Sequence, residues 1–127
     1  MSRPTGQGAL DEQQATIETL WPGKARGFFV MNRSDAELEL TRLREAIDRV
    51  DEVLVKLLNQ RARYAVEIGE IKGVLSLPIY APEREKQVLQ HVEQSSEGPL
   101  EEAAVRRLFE RIIDESRRVE RQSAQKA

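Results

Sequence analysis

The sequence has no cysteine and a single histidine, His91. The first absence removes disulfides, thiolate metal ligands and cysteine nucleophiles together. The second leaves nothing with which to build a histidine metal cluster, so His91 is expected as an exposed helical residue and no metal or cofactor is called for. Aromatic residues make up 5% of the chain, and no run of Lys and Arg is long enough to form a basic stripe, which turns attention away from nucleic acid and membrane surfaces. The apolar run Phe28-Phe29-Val30-Met31 falls far short of a membrane span or a secretory signal, so a cytoplasmic protein is expected. What is present is 39% hydrophobic and 33% charged residues with a net charge of -2 over 127 residues. That balance suits one amphipathic helical domain, and the expected class is all-α.

No proline falls between Pro22 and Pro78. In that window Leu40, Leu43, Ile47, Val50, Leu54, Leu57, Ala65, Ile68 and Ile71 recur at helical spacing. They predict one long helix from Ser34 to about Leu75, capped by Ser34 with Glu37 three residues on. A rod of roughly 60 Å, at about 1.5 Å per residue, is too long for a chain of this size to cover. A second copy is therefore the expected cover for its apolar stripe. Arg61 and Lys72 interrupt the stripe, eleven residues or about three turns apart on one face. Either they draw an anion into the bundle, or both snorkel to solvent from the stripe's edge.

Residues 1–33 carry Gly6, Gly8, Gly23, Gly27, Pro4 and Pro22 without sustained periodicity and are expected to form a flexible extension. Alternatively, Trp21 and Phe28 to Met31 dock on the bundle or on a partner, and Met31 is a candidate start. After Lys72, Gly73, Ser76, Pro78 and Pro82 mark a connection. Pro82 is placed to open a second helix with Glu83 and Glu85 in its first turn. There Glu85, Val88, Leu89 and Val92 share a side, with Arg84 at its flank. Gly98-Pro99 separates a third helix whose apolar face is Ala104, Val105, Leu108, Phe109, Ile112 and Ile113, continued by Ser116 and Glu120 one turn apart. A helical domain over 34–123 and a tail over 124–127 complete the expected organisation.

In order, these pieces are Leu43-Arg44-Glu45-Ala46-Ile47-Asp48, Gln60-Arg61, Ile68-Gly69-Glu70-Ile71-Lys72, Pro82-Glu83-Arg84-Glu85, and Leu108-Phe109-Glu110-Arg111-Ile112-Ile113 followed by Ser116 and Glu120. Together they closely resemble the all-α chorismate mutase family, over about residues 38 to 121. The resemblance implies an intertwined homodimer of three-helix chains, each site completed by the long helix of the other chain. It implies that Arg61 and, in trans, Arg44 bind the two carboxylates of chorismate. Lys72 would reach a carboxylate and the ether oxygen, and Glu85 would accept from the ring hydroxyl. Arg84 and Ser116 would line the pocket, Ala81 would contribute its backbone amide, and Glu120 would face the ether oxygen. Relatives often have an acidic residue at the position of Ala81, and some have glutamine at that of Glu120.

The chemistry implied is an intramolecular rearrangement, in which one carbon–oxygen bond breaks as a carbon–carbon bond forms. It requires a folded substrate conformer and positive charge where the ether oxygen gains electron density. Glu120 in that role has to be a protonated donor, because an anion would repel the oxygen. Two rivals share the sequence features. One is an isochorismate-pyruvate lyase of the same fold, which the run Ala81-Pro82-Glu83-Arg84 also resembles, although Glu85 leans toward the mutase. The other is a non-catalytic helical dimer module regulating an aromatic-pathway enzyme.

Overall fold

The computed structural model describes residues 32–126, and the expectations for residues 1–31 lie outside them. The described chain forms three helices and no strand: α1 over Arg33–Leu75, α2 over Pro82–Ser95 and α3 over Glu102–Lys126. No helix among the described residues is long and apolar enough to cross a membrane.

The start of α1 differs from expectation. Asn32, not Ser34, accepts a hydrogen bond from the Asp35 amide, at 2.8 Å, and the helix begins at Arg33. Asparagine caps as well as serine does, and Asn32, two residues upstream of the expected cap, has taken up a first-turn amide. The other end closes as a Schellman turn. The Leu77 amide donates to the Lys72 carbonyl at 2.9 Å and the Ser76 amide to that of Gly73 at 3.4 Å, with Ser76 in the left-handed region at φ 54°. Pro82 opens α2 as expected, directly after Ala81. The break before α3 is wider than Gly98-Pro99 alone, since α2 stops at Ser95 and α3 starts at Glu102. The Ser96 hydroxyl, donating to the Leu100 carbonyl at 2.7 Å, ties the turn between them. α3 runs through Lys126, so residues 124–126, expected as a tail, are helical.

The chain divides into two compact units at Lys56–Leu57, and α1 contributes to both. In the first unit the described part is residues 32–56. Its apolar stripe is largely bare, with Leu38 68%, Ile47 58% and Leu54 50% exposed.

The second unit holds the remainder of α1 with α2 and α3, and α2 packs along α3. Its buried positions are Ala65 and Gly69 of α1 and Ile113 and Ser123 of α3. Gly69 sets the approach of α1 to α3. A Cβ there would lie 2.7 Å from Glu120 Cα and 2.9 Å from its carbonyl carbon, so only glycine lets the two backbones come this near.

Candidate functional site

A cavity of about 430 Å³ lies between the C-terminal part of α1, the connection, the start of α2 and the middle of α3. Ala65 and Ile113, the two most buried apolar residues of this unit, form part of its wall. The polar residues on the wall are Arg61 and Lys72 from α1, Arg84 and Glu85 from α2, and Ser116, Arg117 and Glu120 from α3. Ala81 also lines it. Every site residue expected from the sequence between Arg61 and Glu120 therefore meets at one hollow. Arg44 lies in the first unit, exposed on α1. His91 is exposed on α2, as expected.

Local structure explains how each side chain is presented. The Lys72 carbonyl anchors the Schellman turn, and its Nζ donates to the Ile79 carbonyl at 2.9 Å and to Glu120 Oε2 at 3.0 Å. With side chains only 16% and 12% exposed, the Lys72–Glu120 pair sits in a poorly hydrated setting where such a contact is strengthened. Glu120 accepts here from Lys72, the nearest partner on its side of the hollow.

Arg61 is half-buried and held by Ser116. Its Nη1 donates to the Ser116 hydroxyl, which in turn donates to the Ile112 carbonyl at 3.0 Å. Burial, then the neighbouring Arg84 cation, pull the Arg61 guanidinium below its usual pKa, while Glu120 pulls it up. Among the described residues neither Arg61 nor Arg84 has a carboxylate within the 4.0 Å of an ion pair. Four cations thus face the hollow against two carboxylates, and both carboxylates are engaged, Glu120 by Lys72 and Glu85 by Arg117. Among the described residues Arg61 and Arg84 thus face the hollow without a carboxylate partner.

Arg117 is a wall residue that the sequence does not point to. It follows Ser116 by one residue, about 100° round the helix, so the row that singles out Ser116 and Glu120 does not include it. Asp114, three residues earlier and paired with it, is the signal in the sequence that could single it out. Tyr80, whose ring lies 5.6 Å from the Arg117 guanidinium, escapes a sequence reading because it falls in the connection, where no periodicity operates.

Residues 43–121 match the family profile described as chorismate mutase type II. The bifunctional chorismate mutase/prephenate dehydratase of Neisseria gonorrhoeae is 44% identical over 78 residues, 61% of this chain and 21% of that protein. The chain spans about a fifth of the length of bifunctional relatives of this kind. The chorismate mutase of Methanocaldococcus jannaschii is 29% identical over 85 residues, covering 66% of this chain and 86% of that protein. Among solved structures, that of chorismate mutase (Form II) from Thermus thermophilus superposes with a TM-score of 0.63 at 34% identity, over 65% of this chain and 93% of the other. A hollow faced by Arg61 and Arg84 without a carboxylate partner among the described residues, on a three-helix scaffold whose residues 43–121 match that profile, goes with a chain that belongs to the chorismate mutase type II family.

Proposed function

We propose that the chain catalyses the rearrangement of chorismate to prephenate, in the biosynthesis of phenylalanine and tyrosine. The observation that carries this is the charge surplus of the cavity: Arg61 and Arg84 face it with no carboxylate of their own, as suits a substrate with two carboxylates. A guanidinium presents paired donors to a carboxylate in a fixed plane, and the Ser116 hydroxyl limits the ways in which Arg61 can turn. Held at its carboxylates inside a hollow of this size, chorismate is confined to the folded conformer in which the two reacting carbons are neighbours. The ether oxygen then comes between Lys72 and Glu120, whose 3.0 Å contact opens to admit it. Lys72 stabilises the negative charge growing on that oxygen, Glu120 in its protonated form donates to it from the other side, and Glu85 accepts from the ring hydroxyl. The Ala81 amide and Arg84 complete the substrate's surroundings. The rearrangement transfers no group to the enzyme, so it asks for no cofactor, and we place the enzyme in the cytoplasm.

The purified chain, given chorismate, is expected to produce prephenate. Pyruvate released from isochorismate, with no prephenate from chorismate, would move the assignment to a lyase. Failure to bind a small dicarboxylate analogue would leave only a helical interaction module.

The bare stripe of α1 supports a homodimer in which Arg44 of a second copy finishes each site. Its apolar side chains, Leu38, Ile47 and Leu54 among them, are half or more exposed in the single chain. The check is complementation. Arg44→Ala and Arg61→Ala should each be inactive alone. Unfolded together and refolded at equal amounts, they should regain about one quarter of wild-type activity, because half of the dimers are mixed and each mixed dimer has one intact site. No recovery in mixed dimers shown to have formed would place Arg44 outside the site.

A further inference from the structure

Among the described residues Arg117 is the one cation at the cavity that is neither without a carboxylate partner nor placed at the proposed reacting atoms. Its Nε lies 2.9 Å from Glu85 Oε2, its Nη2 meets Asp114 Oδ1, and its guanidinium lies over the Tyr80 ring. Three elements thus converge on one guanidinium: α2 through Glu85, the connection through Tyr80 and α3 through Asp114. The contact with Glu85 is unusual in kind. Nε is buried and has no hydrogen-bond partner, so its N–H is not aimed at the carboxylate although the two charges are in contact. An ion pair made in this way neutralises the carboxylate and fixes its place without using its lone pairs. Glu85 keeps its acceptor capacity for a donor arriving from the cavity.

We propose that Arg117 is a positioning residue that holds the Glu85 carboxylate, charged and with free lone pairs, against the ring hydroxyl of the substrate, and so sets the preference for a hydroxylated ring. This rests on the chorismate mutase assignment and extends it to a residue outside the Ser116–Glu120 row. Asp114 and Tyr80 matter because they fix the guanidinium. Arg117 is itself a third exposed, so without them it would swing to solvent and release Glu85. An apolar residue in its place would leave Glu85 facing its cavity without a cation, turned toward whichever of Arg84 or water it could reach.

The test compares two substrates, chorismate and its analogue with hydrogen in place of the ring hydroxyl, on wild type, Arg117→Met, Arg117→Lys and Arg117→Gln, each alone and with Glu85→Gln. Arg117→Met is expected to reduce the kcat/KM preference for chorismate over the deoxy analogue about tenfold, a loss typical of coupled neighbours. The loss should appear chiefly in KM for chorismate, with the deoxy substrate little changed. Arg117→Lys should restore most of the preference, whereas Arg117→Gln, which matches it in polarity but not in charge, should not. In the Glu85→Gln background the Arg117 substitutions should have no further effect. Equal losses on both substrates, or an undiminished effect of Arg117→Met after Glu85→Gln, would overturn the role. Should Arg117→Met not fold, the Lys and Gln variants decide on the same two criteria. A wild-type chain that turns over neither substrate sinks the mutase assignment itself, whereas turnover with an unaltered preference sinks only the role of Arg117.

Discussion

Lys72→Ala is expected to lower kcat by about a hundredfold to a thousandfold, the loss that follows removal of one fixed donor from a charge-stabilising site. Lys72 is singled out by how completely it is held. Its carbonyl closes the end of α1, and its Nζ is fixed between the Ile79 carbonyl and Glu120. A cation already in place needs no reorganisation when the ether oxygen gains charge. The same substitution should also lower the melting temperature, because Glu120 loses the cation facing it in a site only 12% exposed. The two losses are separable. Lys72→Ala combined with Glu120→Ala should regain much of the stability and none of the turnover, as read by thermal melting and by prephenate formation. Near-normal kcat in Lys72→Ala would remove Lys72 from the mechanism, whatever its effect on stability.

Gly69→Ala is expected to do comparable damage without touching a charged residue. Its methyl group would meet Glu120 backbone atoms at 2.7 and 2.9 Å, and backbone, unlike the end of a side chain, cannot swing aside. Ordinary contact requires the helices to part by most of an ångström. Overpacking of this kind costs about 1 to 3 kcal/mol of stability. Displacement of Glu120 and Ser116 relative to Lys72 and Arg61 should cost about a hundredfold in kcat, the usual penalty for misplacing groups by about 1 Å. Thermal melting together with kinetics checks both parts. A variant that melts early but turns over normally while folded would show that the spacing of α1 and α3 is not part of the catalytic geometry.

Much of this molecule is legible because helical periodicity is explicit in sequence. Arg61 and Lys72 stand out by interrupting an apolar stripe, Ser116 and Glu120 by continuing one, and Pro82 by marking where α2 has to begin. What escapes depends on contacts that no stripe records. The role of Gly69 lies in the distance between two helices, and the only hint is a glycine placed inside a helix at a cost of about 1 kcal/mol relative to alanine. Arg117 is defined by what approaches it from α2 and from the connection, both distant in sequence. The first cap falls two residues earlier than expected because Asn32 is as good a cap as Ser34, and Glu37, which the sequence pairs with Ser34, meets Arg33 at 3.4 Å.

The free guanidiniums at Arg61 and Arg84 have a consequence for the end of the catalytic cycle. In the proposed reaction prephenate keeps both carboxylates of chorismate, so the attraction that would gather the reactant would also detain what it becomes. Mobile counter-ions, by shielding those two cations, would hasten departure as they weaken capture.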